Sequence, residues 1–525
     1  MALSHQASAP VEQPEDKGLK AGAIGLLSTT IIATASVAPA YSLAATLAFV
    51  VAVVGLQAPA VTWLAFIPML LTSIGYAELN KADPDCGTTF TWATRAFRPG
   101  AGWAGGWAIV AADVLVMASL AQVAGQYVFF LVAGPGSGIG KTPASSWVLL
   151  AGVIWIILMT TICYLGIEVS ANFQKLLLSI EILMLLALSV TALVKVETGH
   201  APPGHLTPSA AWLNPLHISS FSAFASGIIL MVFIYWGWDT AVSVNEETKD
   251  SRRTPGLAAI LSTIILLVTY SVTVFAVEAF AGTGTKGIGL GNPANFGDVF
   301  SPLGSAVFGT SAAGTFFTRL LFLMILSSAA ASTQTTILPT ARTTLSMAVY
   351  KALPRSFARI HPRFLTPSVS TIVMGLVSIA VYIPMNYSTN PTGVIGDAVI
   401  AIGLYIAFYY GLTGFACAWY YRRNLLTSVR NLFMQGVLPV LGGLMLYFLG
   451  GWSMWLDYDV ATKNDYTMWT VPVIHWQVGG AFVIAVAAAL VGVVIFVAMR
   501  VAAPAFFKGR TLTRSTPTLA PDPGA

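Results

Sequence analysis

A chain of 525 residues that is 56% hydrophobic and only 9% charged lies far from the roughly 25% charged composition of soluble globular proteins, and its repeated apolar stretches of about 20 residues mark a polytopic membrane protein. The net charge of +5 comes from basic residues scattered among the polar links, so it points to no nucleic-acid partner. Cys86, Cys163 and Cys417 have neither metal-ligand nor redox spacing and read as small apolar fillers, so no metal and no cofactor is expected.

The first 20 residues, MALSHQASAPVEQPEDKGLK, are polar, and the apolar run behind them is too long for the roughly 7–15-residue core of a cleaved signal peptide. This lead and the Thr- and Pro-rich stretch Thr511–Ala525 are expected to be disordered. The predicted organisation is a tail over 1–18, a core of ten helices over 19–430, two further helices over 431–503 and a tail over 504–525. The twelve predicted spans are 20–55, 58–80, 100–133, 145–166, 168–194, 219–245, 256–282, 312–350, 367–386, 393–420, 432–451 and 475–502.

Helix one carries IIATASVAPAY, Ile31–Tyr41. Pro39 has no N–H, its ring clashes with the Ala35 carbonyl, and it pushes Ala38 away from α geometry. Ala35, Ser36, Val37 and Ala38 are therefore predicted to unwind, with Pro39 opening an outer half-helix. The bare backbone of such a break can bind substrate; the alternative is a plain proline kink in a packed helix. In helix three, Asp113 lies off the face of Ser119, Gln122 and Gln126, a stripe suited to gluing helices together. Helix five centres on Glu181, with Gln174 on the same face. An ionisable group in mid-bilayer costs about 2.5–3.5 kcal/mol on insertion scales, which makes Glu181 a candidate for proton coupling, against a structural carboxyl bonded to a neighbouring helix.

Helix six offers a second, softer break in FIYWGWDT, where Gly237 sits among Phe233, Tyr235, Trp236 and Trp238, with Asp239 beyond. Glu278 in helix seven is a weaker candidate. The polar run SSAAASTQTT of helix eight sets Ser328, Ser332 and Thr335 at helical spacing, suited either to lining a pathway or ligating a small cation, or to close packing. Asp113, Asp239 and Asp397 are further candidates for lining the pathway, Asp397 near the outer end of helix ten.

Placing the N-terminus inside leaves only Lys141, Lys195, Lys286, Arg319 and Lys463 of the 26 basic residues outside, so both termini are predicted to be cytoplasmic.

Four stretches then resemble the amino acid–polyamine–organocation transporter superfamily: Tyr76–Trp107, Tyr164–Ile182, Tyr235–Pro255 and Ala341–Pro367, within a likeness covering about residues 19–430. The resemblance implies an all-α integral membrane fold of twelve helices, a five-plus-five inverted repeat of the LeuT type with two C-terminal helices, and helices one and six unwound. It places the substrate against Ser36–Ala38 and Phe233–Trp238. The chain departs from the pattern in lacking a glycine in the first break. It also carries Glu181 where some proton-coupled relatives have lysine. The expected function is a secondary active transporter for amino acids or related amines in the plasma membrane, working by alternating access and coupled to protons, with an exchanger or a transporter-like nutrient sensor as alternatives. Its partners are then a small-molecule substrate, protons and the lipid bilayer; the oligomeric state stays open. No HExxH pair is present, Gly136–Gly138 has no partnered base, and His200, His205 and His217 lack ligand spacing, so an enzyme is not expected.

Overall fold

The structure is a computed structural model that describes residues 17–134, 136–459, 466–471 and 475–519. Lys463 and the tail residues 1–16 and 520–525 lie outside the described residues. The chain folds as a helical membrane protein. In chain order its helices are α1 (Leu26–Val37), α2 (Pro39–Val54), α3 (Ala58–Ala82), α4 (Thr89–Ala96), α5 (Pro99–Ala133), α6 (Ser146–Leu165), α7 (Ile167–Glu197), α8 (Phe221–Tyr235) and α9 (Thr240–Ser243). They continue as α10 (Thr254–Ala281), α11 (Phe300–Phe308), α12 (Ala312–Val349), α13 (Ser368–Asn386), α14 (Pro391–Tyr420), α15 (Val429–Asn431), α16 (Leu438–Tyr458), α17 (Gly480–Ala502) and α18 (Pro504–Phe507).

Among the described residues, ten helical stretches are long and apolar enough to cross a membrane. The first, Leu26–Ala82, runs for 57 residues, against about 20 for one crossing, and contains α1, α2 and α3. Phe221–Tyr235 is apolar but shorter, because it ends at the second break. Side-chain caps open several helices: Ser145, Ser220, Ser311 and Asn390 each accept a backbone N–H from the first turn of α6, α8, α12 and α14.

The core lies around the broken helices. α5 is 94% buried over its apolar window, while α6 and α17 are only 28% and 17% buried. Those two are apolar all round, which suits helices facing lipid. α14 and α16 approach closely through glycines; a Cβ on Gly414 would lie 2.3 Å from the Pro439 carbonyl oxygen.

Several expectations change. Only Ala38 leaves the helix at the first break; Ala35, Ser36 and Val37 stay in α1. The proline removes one hydrogen bond and restricts one neighbour, so a single residue absorbs the whole change of direction. Helix twelve does not begin at 475, since Trp476–Gly479 pairs as a strand, β2, with Met468–Val471, β1, in an antiparallel hairpin. A π-helical turn, Leu432–Val437, leads into α16. The tails are ordered further than expected. Lys17 is buried at one end. At the other, Leu512 packs with Phe90, Trp103 and Phe506, and the Thr513 carbonyl accepts from Arg95 at 3.1 Å. Both tails carry groups that complete buried partners, which composition alone does not reveal.

Candidate functional site

The first break is built by Pro39. Ala38 takes a left-handed conformation (φ 49°, ψ 66°), which costs an L-residue roughly 1–2 kcal/mol and is held by the surrounding packing. α2 therefore starts inside the bundle, where its first N–H groups need partners. Pro39 has none to offer. The Ala40 N–H donates to Glu181 Oε1 at 2.6 Å, and the Tyr41 N–H donates to Ser328 Oγ at 3.0 Å. Ser328 in turn donates to Glu181 Oε1 at 2.7 Å. A carboxylate at a helix N-terminus meets both the free donors and the positive end of the helix dipole. Glu181 Oε2 makes no hydrogen bond among the described residues.

The second break follows Tyr235. Trp236 is extended (φ −75°, ψ 145°) and Gly237 adopts φ +120° before α9 restarts the helix. Glycine is required there twice over: that φ suits no side chain, and a Cβ would lie 2.9 Å from the carbonyl carbon of Ser36. The two breaks thus touch. Ser36 Oγ lies 2.8 Å from Thr240 Oγ1, Thr240 donates to the Thr335 carbonyl at 3.2 Å, and Ser332 donates to the Ser36 carbonyl at 3.0 Å.

Between the breaks lies a cavity of about 10 Å³, lined by Ser36, Ile109, Asp113, Trp236, Gly237, Asp239, Thr240, Thr335, Thr336 and Pro339. That is room for about one water, so the site is closed in this conformation. Thr340 donates to Asp113 Oδ2. Tyr410 and Tyr409 donate to the two oxygens of Asp239 at 2.9 and 3.1 Å, and the Trp236 indole N–H donates to the Tyr409 hydroxyl.

Of the residues singled out in the sequence, Ser36, Trp236, Gly237, Asp113, Asp239 and Thr335 meet at this cavity. Glu181, Ser328 and Ser332 sit at the first break beside it. Ala35, Val37, Ala38, Phe233, Tyr235 and Trp238 do not line it. Trp238 packs instead between Tyr76 and Tyr410, and Tyr235 against Tyr270. Asp397 stands apart: it accepts the Tyr466 N–H at 2.8 Å and the Thr467 hydroxyl, tying β1 and the residues before it to α14. Sequence reasoning gives no separate role to Ile109, Thr240, Thr336 and Pro339; Ile109 lies one turn before Asp113, Thr240 closes FIYWGWDT, Thr336 closes the polar run of α12 and Pro339 follows three residues later, and these neighbourhoods are the signal for them. In the stripe of α5, Ser119 bonds Tyr41 of α2 and Gln122 bonds Asn386 of α13, whereas Gln126 donates to the Gly140 carbonyl in the link to α6.

A second polar layer closes the end of the bundle that holds both described termini. Lys17 Nζ lies 2.8 Å from Asp85 and 2.7 Å from Glu246. Arg342 binds Glu247 through two contacts of 2.6 and 2.9 Å, and Arg95 pairs with Asp83 at 2.7 Å. Burial alone would lower the Lys17 pKa, but Asp85, Cys86 and Glu246 hold it well above its ordinary value. Burial opposes ionisation of Asp85 as well; Lys17 and hydrogen bonds from Gly87 and Ser346 nevertheless keep it below the usual carboxylate range. Burial pushes the Glu246 carboxyl up, against the pull of Lys17. Asp85, Cys86 and Glu246 form a compact donor group, and its centre is filled by the Lys17 ammonium.

An amino acid permease family model matches residues 24–512. The chain belongs to the amino acid permease family. As a member of that permease family it is 25% identical, over 64% of its length and 67% of the relative's, to an uncharacterized transporter of Mycobacterium tuberculosis. It is 20% identical to a low-affinity putrescine importer of Escherichia coli (77% of this chain, 82% of the importer). A branched-chain amino acid permease of Lactococcus lactis is 22% identical over 38% of this chain and 43% of the relative. The chain is thus an amino acid or amine transporter by family rather than an enzyme.

Proposed function

We propose that this permease is a secondary active transporter that carries an amino acid or a related amine across the plasma membrane by alternating access, coupled to protons. The observation that carries the reading is the meeting of two broken helices at a closed polar cavity in the membrane interior. Irregular backbone at that depth is tolerated where it lines a ligand cavity. In the proposed topology the long first stretch crosses twice and α8 with α9 completes one crossing. The ten apolar stretches then become twelve spans, arranged as five plus five inverted helices and two more, with both termini cytoplasmic. Opening the cavity to one side at a time requires the ion-paired layer at the termini-bearing end to part and re-form.

Glu181 is the proposed proton carrier. Its Oε1 anchors α2 and Ser328 at the break, so gain or loss of a proton there alters contacts that join α7, α2 and α12. Uptake into proteoliposomes driven by an inward proton gradient is the test. Glu181→Gln keeps an acceptor for the Ala40 N–H and removes the titratable group. Uptake by that variant should lose its dependence on the gradient; gradient-driven accumulation equal to that of the unaltered protein would remove Glu181 from the coupling role.

A further inference from the structure

Resting on the transport reading above, we propose that the substrate is a cationic amine that brings no carboxylate, its charge held between Asp113 and Asp239. Three observations carry this. First, the donors a substrate carboxylate would need at the first break are already taken: Pro39 has no N–H, Ala40 donates to Glu181, Tyr41 to Ser328 and Ser42 to the Ala38 carbonyl. The chain supplies its own anion at this helix N-terminus.

Second, the cavity lining holds two carboxylates and, among the described residues, no Lys, Arg or His. Asp113 is 2% exposed and Asp239 5% exposed. Asp113 receives one hydrogen bond, at Oδ2 from Thr340, and its Oδ1 receives none among the described residues. A zwitterion brings as much negative as positive charge to such a place, whereas an ammonium group neutralises what is there. Third, the other groups around the cavity suit an alkylammonium: the hydroxyls of Ser36, Thr240, Thr335 and Thr336 accept hydrogen bonds, and the Trp236 indole offers a ring to a cation. Asp239 is fixed by Tyr409 and Tyr410 from α14, so its oxygens are aimed before any ligand arrives.

The experiment compares 1,5-diaminopentane with lysine, which differs from it by a carboxylate, and with leucine, on the full chain in detergent and in proteoliposomes. The diamine should raise the melting temperature and compete for uptake, because a ligand of the folded state stabilises it. Lysine and leucine should do so about tenfold more weakly or not at all. Asp113→Asn and Asp239→Asn should each weaken the diamine by about tenfold or more, the scale of a lost charge-assisted hydrogen bond. Lysine or leucine binding as tightly as the diamine overturns the proposal on the unaltered protein alone, whatever the variants do, while saturable uptake of either leaves the transport reading standing. Saturable uptake of none of the three, with no thermal shift, overturns the proposal and leaves the transport reading to other amino acids.

Discussion

At the termini-bearing end, Asp83, Asp85, Glu246 and Glu247 each face a cation 2.6–2.8 Å away, whereas Asp113, Glu181 and Asp239 at the helix breaks meet only hydroxyl and amide donors. Both groups are buried, so the contrast is one of compensation. A paired charge fastens two elements together and tolerates nothing else in its place. A carboxylate held by neutral donors leaves its charge to be met from outside, by a proton or a cationic ligand. The first arrangement closes an end of the bundle; the second is the one on which the proposed transport site rests.

The sharpest way to break this contrast is to remove one partner of each kind. Arg342→Met leaves Glu247 buried without its two contacts, and loss of one member of a buried pair costs about 3–5 kcal/mol. Thermal unfolding in detergent should show that loss, and Arg342→Met with Glu247→Gln together should recover part of it. Asp239→Asn, by contrast, leaves an amide that Tyr409 and Tyr410 can still reach, so its stability loss should stay well below that of Arg342→Met. Equal losses in the two would mean that Asp239 is as structural as Glu247.

Backbone at the meeting of the two breaks supplies the next effect. Gly237→Ala puts a Cβ against Ser36 at a φ of +120°, a strain of about 1–3 kcal/mol. Uptake should fall further than stability does, since Ser36 borders the cavity directly; normal uptake would show that the contact between the breaks is free to loosen.

The breaks were legible in the sequence because proline and glycine act on the chain locally. Pro39 named its own position, and Gly237 stood out among aromatics. How many residues would unwind was not legible, because Ala35–Val37 keep helical hydrogen bonds that depend on packing by α7, α10 and α12. Composition and spacing showed Glu181 at mid-span, but not that it would cap α2, a contact across 141 residues of sequence. Asp113 lies off the polar stripe of its own helix, and the cavity it faces is made by distant segments, α1, the second break and α12. The hairpin before α17 is not legible in the pattern, because Trp476–Gly479 adjoins the apolar run of α17 and its pairing with Met468–Val471 is a tertiary contact.

The Lys17 cluster offers a pH test of the fastened end. Lys17 has a folded pKa above its ordinary 10.5, so its contribution is whole below that pH and is lost as pH rises through the folded value. Asp85 is depressed below its ordinary 3.8, so its contribution is whole above that pH and is lost as pH falls through the folded value. Glu246 has the opposite sign: raised by burial, its charged form costs stability above the unfolded value. Without the ammonium, Asp85 and Glu246 stand buried side by side and both are pushed up, so the stability difference between the unaltered protein and Lys17→Met should widen as pH rises above the ordinary carboxylate range. A difference that stays flat across that range would mean that the ammonium is not seated between the two carboxylates.

The smallest effect belongs to the C-terminal strap. Thr518 donates to Asp83 Oδ1 at 2.9 Å, and Asp83 also holds Arg95, whose side chain reaches the carbonyls of Thr513 and Thr516. Thr518→Ala removes one part-buried hydrogen bond, worth about 0.5–1.5 kcal/mol, while Leu512 stays packed. Global melting should hardly move. Amide exchange over residues 513–519 should quicken several-fold, because that segment's link to Asp83 then depends on Arg95 alone. Such a local response without a global one is what distinguishes a strap laid over a closed end from a member of the core, and unchanged exchange would show that Arg95, Arg514 on the Tyr420 carbonyl, and the packing of Leu512 and Leu519 hold the segment without Thr518.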